Sequence, residues 1–353
     1  MKEGRIRYFD ELKGIAIILV VFCHLVVLSQ ETILGNIIMS FAWAAVPCFF
    51  MVTGGLMHRA SAWSWKKWGM KLWKLYLSLS VWKLLYFVFY YISRDVRADA
   101  ITIIKYVFFW GNISNVDIGP MWFMNAYLNM MFIYPITYFL YKKDEFGKQL
   151  LLYLGILLGV ASIMASVANQ LGITFLSQML GLIPFAGYKN MLFYFILGIF
   201  LLEQREKMTE IFSRKKVMRW IPLVLIMIGI LGVLGIKFAD TGSFRWNGVY
   251  LTDGYNRLST LVMAVGLYLV FSLKLYPGSV KVLEIIGQNT MGIYFLHYPV
   301  LILYKKICTM LVENYTDYYS FELNCIQTVI VVSLCMIITI VMKKIPVVKN
   351  IFM

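Results

Sequence analysis

The sequence predicts an all-α fold: a polytopic membrane bundle of about ten transmembrane helices, with both termini cytoplasmic. Three observations predict it. Of 353 residues, 61% are hydrophobic and only 14% are charged, with a mean hydropathy of +0.74, which is more apolar surface than a soluble domain can bury. Apolar segments of membrane-spanning length recur along the whole chain. The basic residues alternate between connections, roughly 23 Lys/Arg on the side of the N-terminus and roughly 9 on the other. An even number of spans preserves that asymmetry, and dropping one helix reverses the later loops. The same alternation excludes a nucleic-acid reading of the net charge of +15, because such a surface gathers its cations on one face.

The first segment, Gly14–Leu28, follows a charged head, Asp10-Glu11-Leu12-Lys13, and holds His24. On an α-helix the step from Lys13 to His24 is about 1,100° of rotation and about 16 Å of rise. The two side chains therefore share a face, one at the membrane edge and one about half a bilayer deeper. Asp10 lies within about 40° of that face, one turn nearer the water. An ionisable side chain inside a membrane helix is costly and marks a candidate functional site; the alternative is a core histidine bonded to a neighbouring helix. Acidic residues in the head and the lack of a small-residue cleavage site make this a first span, not a signal peptide.

The second segment, Ile37–Met57, ends PCFFMVTGGLMHR. Pro47, Thr53, Gly54 and Gly55 predict a kink and close helix packing, and His58 is expected at the surface. Lys66, Lys67, Lys71 and Lys74 follow. Lys71 and Lys74 share a helix face, where clustered ammonium groups hold a polyanion or lipid headgroups. The third segment, Leu75–Ile92, contains Lys83, and Ile101–Trp110 is too short to span. Gly119-Pro120 opens the fourth, Met121–Leu140; Trp122 and Tyr127 suit an interface, while Asn125 lines a cavity or joins helices. Leu150–Ala168, Pro184–Leu202, Ile221–Phe238 and Leu258–Leu275 are plain apolar runs.

The ninth segment, Met291–Leu311, follows N-cap material at Asn289 and Thr290, and it places His297 between Tyr294 and Tyr298. Cys325–Met342 is the tenth. The five cysteines read as small hydrophobes, and no metal site is expected. The outer connections carry Arg94, Asp95, Arg97, Asp117, Asp240, Arg245, Asp253 and Arg257 among many aromatics, a composition that suits a sugar as well as a bilayer surface. Residues 1–353 read as one membrane domain, with no separate soluble domain and no repeated halves.

The following stretches, in this order, resemble the acyltransferase-3 family of integral membrane acyltransferases. RYFDELKGIAIILVVFCH, from Arg7 to His24, resembles the family's opening, with Asp10, Gly14-Ile15-Ala16 and His24 matching and Lys13 in the place of an arginine. Val46-Pro47-Cys48-Phe49-Phe50 through Leu56 resembles the next element. The cytoplasmic R-x-x-R falls at Lys71 and Lys74, again as lysine. Trp122 to Ala126 and Met291 to Val300 resemble two later span motifs. The lysines keep the charge but lose the bidentate grip of a guanidinium.

The resemblance implies an O-acyltransferase of the plasma membrane. It would move an acetyl or other short acyl group from cytoplasmic acetyl-CoA to a hydroxyl of an extracytoplasmic glycan or lipid-linked sugar of the cell envelope. No cofactor is permanently bound. Lys13, Lys71 and Lys74 would meet the CoA phosphates, with Asp10 at the same inner mouth. His24 would act as base or as acyl acceptor, and Trp122, Asn125, Tyr294 and His297 would line the substrate cavity. A glycolipid flippase and a structural subunit of an envelope-polysaccharide complex are the competing classes.

Overall fold

A computed structural model describes residues 5–26, 33–60, 62–109, 111–114, 116, 121–182, 189–241, 254–275, 280–312 and 321–346. The described residues are all-α, with fourteen helices. Each of the ten apolar segments falls on one of them. These are α1 (Arg7–Val26), α2 (Ile33–His58), α3 (Trp65–Arg94), α5 (Trp122–Lys143), α6 (Glu145–Gln170), α8 (Lys189–Glu203), α10 (Ile221–Thr241), α11 (Leu258–Ser272), α13 (Thr290–Leu311) and α14 (Phe321–Met342). Four short helices complete the set: α4 (Ala100–Phe108), α7 (Thr174–Gly181), α9 (Arg205–Arg214) and α12 (Lys281–Gln288). The expected helix starts at Gly119-Pro120 and Pro184 lie outside the described residues, as do Asp117, Arg245 and Asp253.

Five stretches are long and apolar enough to cross a membrane by length and composition: Ile37–His58, Trp65–Arg94, Glu145–Asn169, Val217–Ile236 and Phe321–Met342. Three of the other helices fall short for plain reasons. Every eighteen-residue stretch of α1 includes Asp10, Glu11 and Lys13, and α8 and α11 have only 15 residues each.

The chain divides into two compact units. The first comprises Met1–Ala60, Tyr134–Thr290 and Tyr315–Ile330. It is built on helix crossings that tolerate no side chain. A Cβ on Gly54 would lie 1.9 Å from the Phe195 carbonyl oxygen, and one on Gly198 would lie 1.9 Å from that of Met51, so α2 and α8 touch backbone to backbone. The α1–α12 crossing is as close: a Cβ on Gly14 would meet Leu283 O at 2.1 Å, and one on Gly287 would meet Asp10 O at 1.8 Å. Such approaches maximise van der Waals contact between helices, which is what holds them together where water supplies no driving force.

The second unit comprises Ser61–Ile133, Met291–Asn314 and Val331–Met353. Two carbonyls left without helical donors shape it. Pro299 has no N–H, so the Phe295 carbonyl four residues earlier loses its helical donor. The Tyr86 hydroxyl of α3 donates to that carbonyl at 3.1 Å, and Trp82 stacks on the Phe295 ring at 4.8 Å. Pro135 frees the Met131 carbonyl in the same way, and the Trp68 indole N–H donates to it at 2.9 Å. Lys83 is buried; its ammonium donates to the Tyr106 carbonyl at 3.2 Å, near the C-terminal end of α4, where a cation suits the helix dipole. Tyr86→Phe keeps the ring but leaves a buried carbonyl unpaired. A loss of about 1–3 kcal/mol is expected, read as a lower thermal midpoint of the detergent-solubilised chain.

Candidate functional site

The head of α1 carries a partly buried charged cluster. Asp10 is only 4% exposed. Lys13 Nζ stands 2.9 Å from its Oδ1, one turn along the helix, and Arg5 donates to its Oδ2. Burial alone would raise the Asp10 carboxyl, but the hydrogen bonds and charges of Arg5 and Lys13 outweigh it and hold the pKa below the usual 3.8. Because folding depresses this pKa, the triplet stabilises the folded chain above the ordinary carboxylate range. That contribution is lost as pH falls through the depressed value. Two cations on one carboxylate give this triplet a charge of +1, and Glu284 of α12 lies close enough to act on Arg5 as well.

Neighbouring elements fix this head. Arg205, at the start of α9, lays its guanidinium over the Tyr8 ring at 4.8 Å and donates to the Ser272 carbonyl at 3.0 Å. Tyr8 meets the edge of Tyr268 of α11 at 6.3 Å, and burial pushes its phenol pKa up, so it stays neutral. Above the head, α1 continues without interruption to Val26. His24 is half-buried and, by helix geometry, about 16 Å from Lys13 along the same face.

The other candidate residues fall in the second unit. Lys71 and Lys74 are exposed on α3. Trp122 and Asn125 are half-buried at the start of α5, and Asn125 Oδ1 is shielded from solvent with no hydrogen-bond partner among the described residues. Tyr294 and His297 are buried on α13, where His297 Nδ1–H donates to the Tyr294 carbonyl of its own helix. The Phe123 and Tyr294 rings meet at 5.5 Å, so the start of α5 and the early turns of α13 are in contact. That contact brings the four cavity candidates onto two touching helices.

The sequence matches the acyltransferase-3 family, described as an acyltransferase domain, over residues 6–343. The chain belongs to the acyltransferase-3 family. It is a membrane acyltransferase, and the match covers every stretch on which the resemblance rested. No curated protein and no solved structure matches it at a significant level.

One expectation for this acyltransferase is corrected. His58 is not a surface residue: it is 3% exposed, with Nδ1–H donating to Gly54 O at 2.9 Å and Nε2 lying 3.1 Å from Thr137 Oγ1. Its ring meets Tyr134 at 5.3 Å and Phe195 at 5.4 Å. The cause is the glycine crossing one turn earlier, which draws α8 against the end of α2 and covers the imidazole.

Sequence reasoning also passed over Glu11 of this acyltransferase. Its side chain points away from Asp10, is 2% exposed, and accepts the Val280 backbone N–H at 3.0 Å. Val280 immediately precedes α12, whose first N–H groups have no helical acceptor. Glu11 thus fastens α12 to the acyltransferase's first helix. The signal was present in the sequence: consecutive acids lie about 100° apart on a helix, so only one of the two can face Lys13. Glu11→Ala is expected to cost about 1–3 kcal/mol. Glu11→Gln, which keeps an acceptor oxygen, should recover most of the lost thermal stability.

Proposed function

We propose that this acyltransferase moves an acetyl group from cytoplasmic acetyl-CoA to a hydroxyl of an extracytoplasmic glycan or lipid-linked sugar. In this reading the chain makes ten spans of the plasma membrane, with both ends in the cytoplasm. The observation that carries it is α1, one unbroken helix with a net positive cluster at its foot and an imidazole about 16 Å up the same face. That span suits the pantetheine arm of CoA, whose charged phosphates stay at the foot while the thioester reaches inward.

Lys13, Lys71 and Lys74 each supply positive charge to those phosphates as point charges. Asp10 keeps Lys13 in place. His24 takes the proton of the acceptor hydroxyl as its oxygen attacks the thioester carbonyl. The C–S bond breaks, the O–C bond forms, and the CoA thiolate leaves with the proton passed on by His24. In a two-step variant of the same chemistry, His24 itself holds the acyl group between donor and acceptor. Trp122, Tyr294 and His297 shape the acceptor cavity, and the open acceptor oxygen of Asn125 suits a sugar hydroxyl.

The test is transfer from radiolabelled acetyl-CoA in membranes containing the protein. Label is expected in the envelope glycan. Lys13→Ala and Lys71→Ala/Lys74→Ala should raise KM for acetyl-CoA at nearly constant kcat, the mark of binding lost equally in the ground and transition states. Unlabelled glycan, with glycolipid transported unmodified, would overturn the reading in favour of a flippase.

A further inference from the structure

A cavity of ≈420 Å³ opens at the N-terminal end of α10. Its walls come from α9, the 3-10 turn Lys216–Trp220, the first turn of α10 and the chain just beyond α11. The α10–α11 hairpin explains the meeting. A Cβ on Gly266 would lie 2.8 Å from Pro222 O, so the helices run in close contact and the end of α11 arrives beside the start of α10. The lining includes two cations, Arg219 and Lys274, and no carboxylate. Among the described residues neither cation is in an ion pair, and the nearby Glu210 is engaged by Arg214. The Thr209 and Ser213 hydroxyls donate to backbone carbonyls, so the two cations and the Trp220 indole N–H are the side-chain donors the lining offers a ligand.

The rest of the surroundings is apolar. The candidate span Val217–Ile236 begins at this cavity, and only 28% of its most apolar stretch is buried by protein, which leaves an apolar surface suited to lipid. Trp220, in the cavity wall, is 66% exposed at the end of that span, where an indole suits the membrane interface. Leu223, Met227 and Leu231 follow at intervals of four, 43%, 54% and 61% exposed, and form one stripe running down from the cavity. The stripe is about 12 Å long, within the reach of an acyl chain.

We propose that this cavity binds the phosphate of an anionic glycerophospholipid, with one acyl chain lying along Leu223, Met227 and Leu231. Arg219 and Lys274 hold the phosphate, and Phe212 and Trp220 wall the glycerol. The site selects against zwitterionic lipids. Two cations repel a choline or ethanolamine head, and no lining carboxylate offsets that. The acyl stripe distinguishes a lipid from a nucleotide, which would leave it empty. The proposal concerns binding alone and stands apart from the acyl-transfer reading.

The test is native mass spectrometry of the full chain in detergent, titrated with dioleoyl-phosphatidylglycerol or dioleoyl-phosphatidylcholine. The phosphatidylglycerol should bind the more tightly. Arg219→Gln/Lys274→Gln should weaken it about thirtyfold, to the level of phosphatidylcholine. Both cations are exposed, so their loss leaves the core intact. Thr209→Trp, which keeps the charges and fills the cavity, should weaken it as well, and 3′,5′-ADP should not compete. Equal binding of the two lipids, or unchanged phosphatidylglycerol binding in the double variant or in Thr209→Trp, would overturn the proposal. Displacement by 3′,5′-ADP would also overturn it and assign the cavity to a nucleotide phosphate.

Discussion

Replacing His24 with alanine is expected to lower acetyl transfer about 10²–10⁴-fold, the usual contribution of a positioned general base. A sugar hydroxyl is a poor nucleophile until its proton has somewhere to go, and a neutral imidazole near pH 7 is suited to take it. His24→Gln keeps a hydrogen-bonding side chain but cannot carry a proton, so it should be nearly as damaging as alanine. KM for acetyl-CoA should change little, because none of the cations proposed for the phosphates is near His24 in sequence: Lys13 lies at the other end of α1, and Lys71 and Lys74 are on α3. His24 is half-buried near the end of its helix, so the thermal midpoint of the variants should stay close to that of the parent. Loss of activity with folding and donor binding retained is the signature of a chemical role. Activity above a tenth of the parent's in His24→Ala would remove the imidazole from the reaction.

Gly287→Ala should produce the largest loss of stability of any single methyl group discussed. The added carbon would lie 1.8 Å from the Asp10 carbonyl oxygen, a backbone atom inside a helix that cannot rotate aside. The α1–α12 crossing must open, at a cost of about 3 kcal/mol. Opening it also strains the Glu11–Val280 bond and the setting of the Arg5–Asp10–Lys13 cluster, so KM for acetyl-CoA should rise with the loss of stability. Gly69→Ala is the matched control: that glycine lies inside α3 with nothing within 4 Å of its missing Cβ. There the substitution should stabilise by up to about 1 kcal/mol, through helix propensity alone. Thermal midpoints moving in opposite directions separate close packing from a general intolerance of alanine. A neutral Gly287→Ala would show that the two helices stand further apart than described.

Much of this architecture is legible along the chain. The apolar segments mark ten helices, because hydrophobic length is a local property, and Gly54 lies at a tight crossing, as a glycine amid large side chains implies. The helical spacing puts Asp10 one turn from Lys13, and the two side chains pair. What escapes is whatever depends on a partner far along the chain. Pro299 and Pro135 announce an unpaired carbonyl, but nothing local says that Tyr86 and Trp68 will supply the donors. His58 looks like a polar residue leaving the membrane, and its burial is set by Thr137 and Phe195, on other helices. Glu11 sits in plain sight beside Asp10, and only the arrival of α12 gives it a task.

The Tyr86–Phe295 bond also changes how substitutions at Pro299 should be understood. A proline inside a helix is commonly treated as a weak point that bends. Here the missing rung is replaced from α3, so the imino acid and the phenol operate as lock and key. Restoring an amide at position 299 would make the phenol redundant, while removing the phenol alone exposes the gap. The two positions therefore form an epistatic unit, and the effect of either depends on which residue occupies the other.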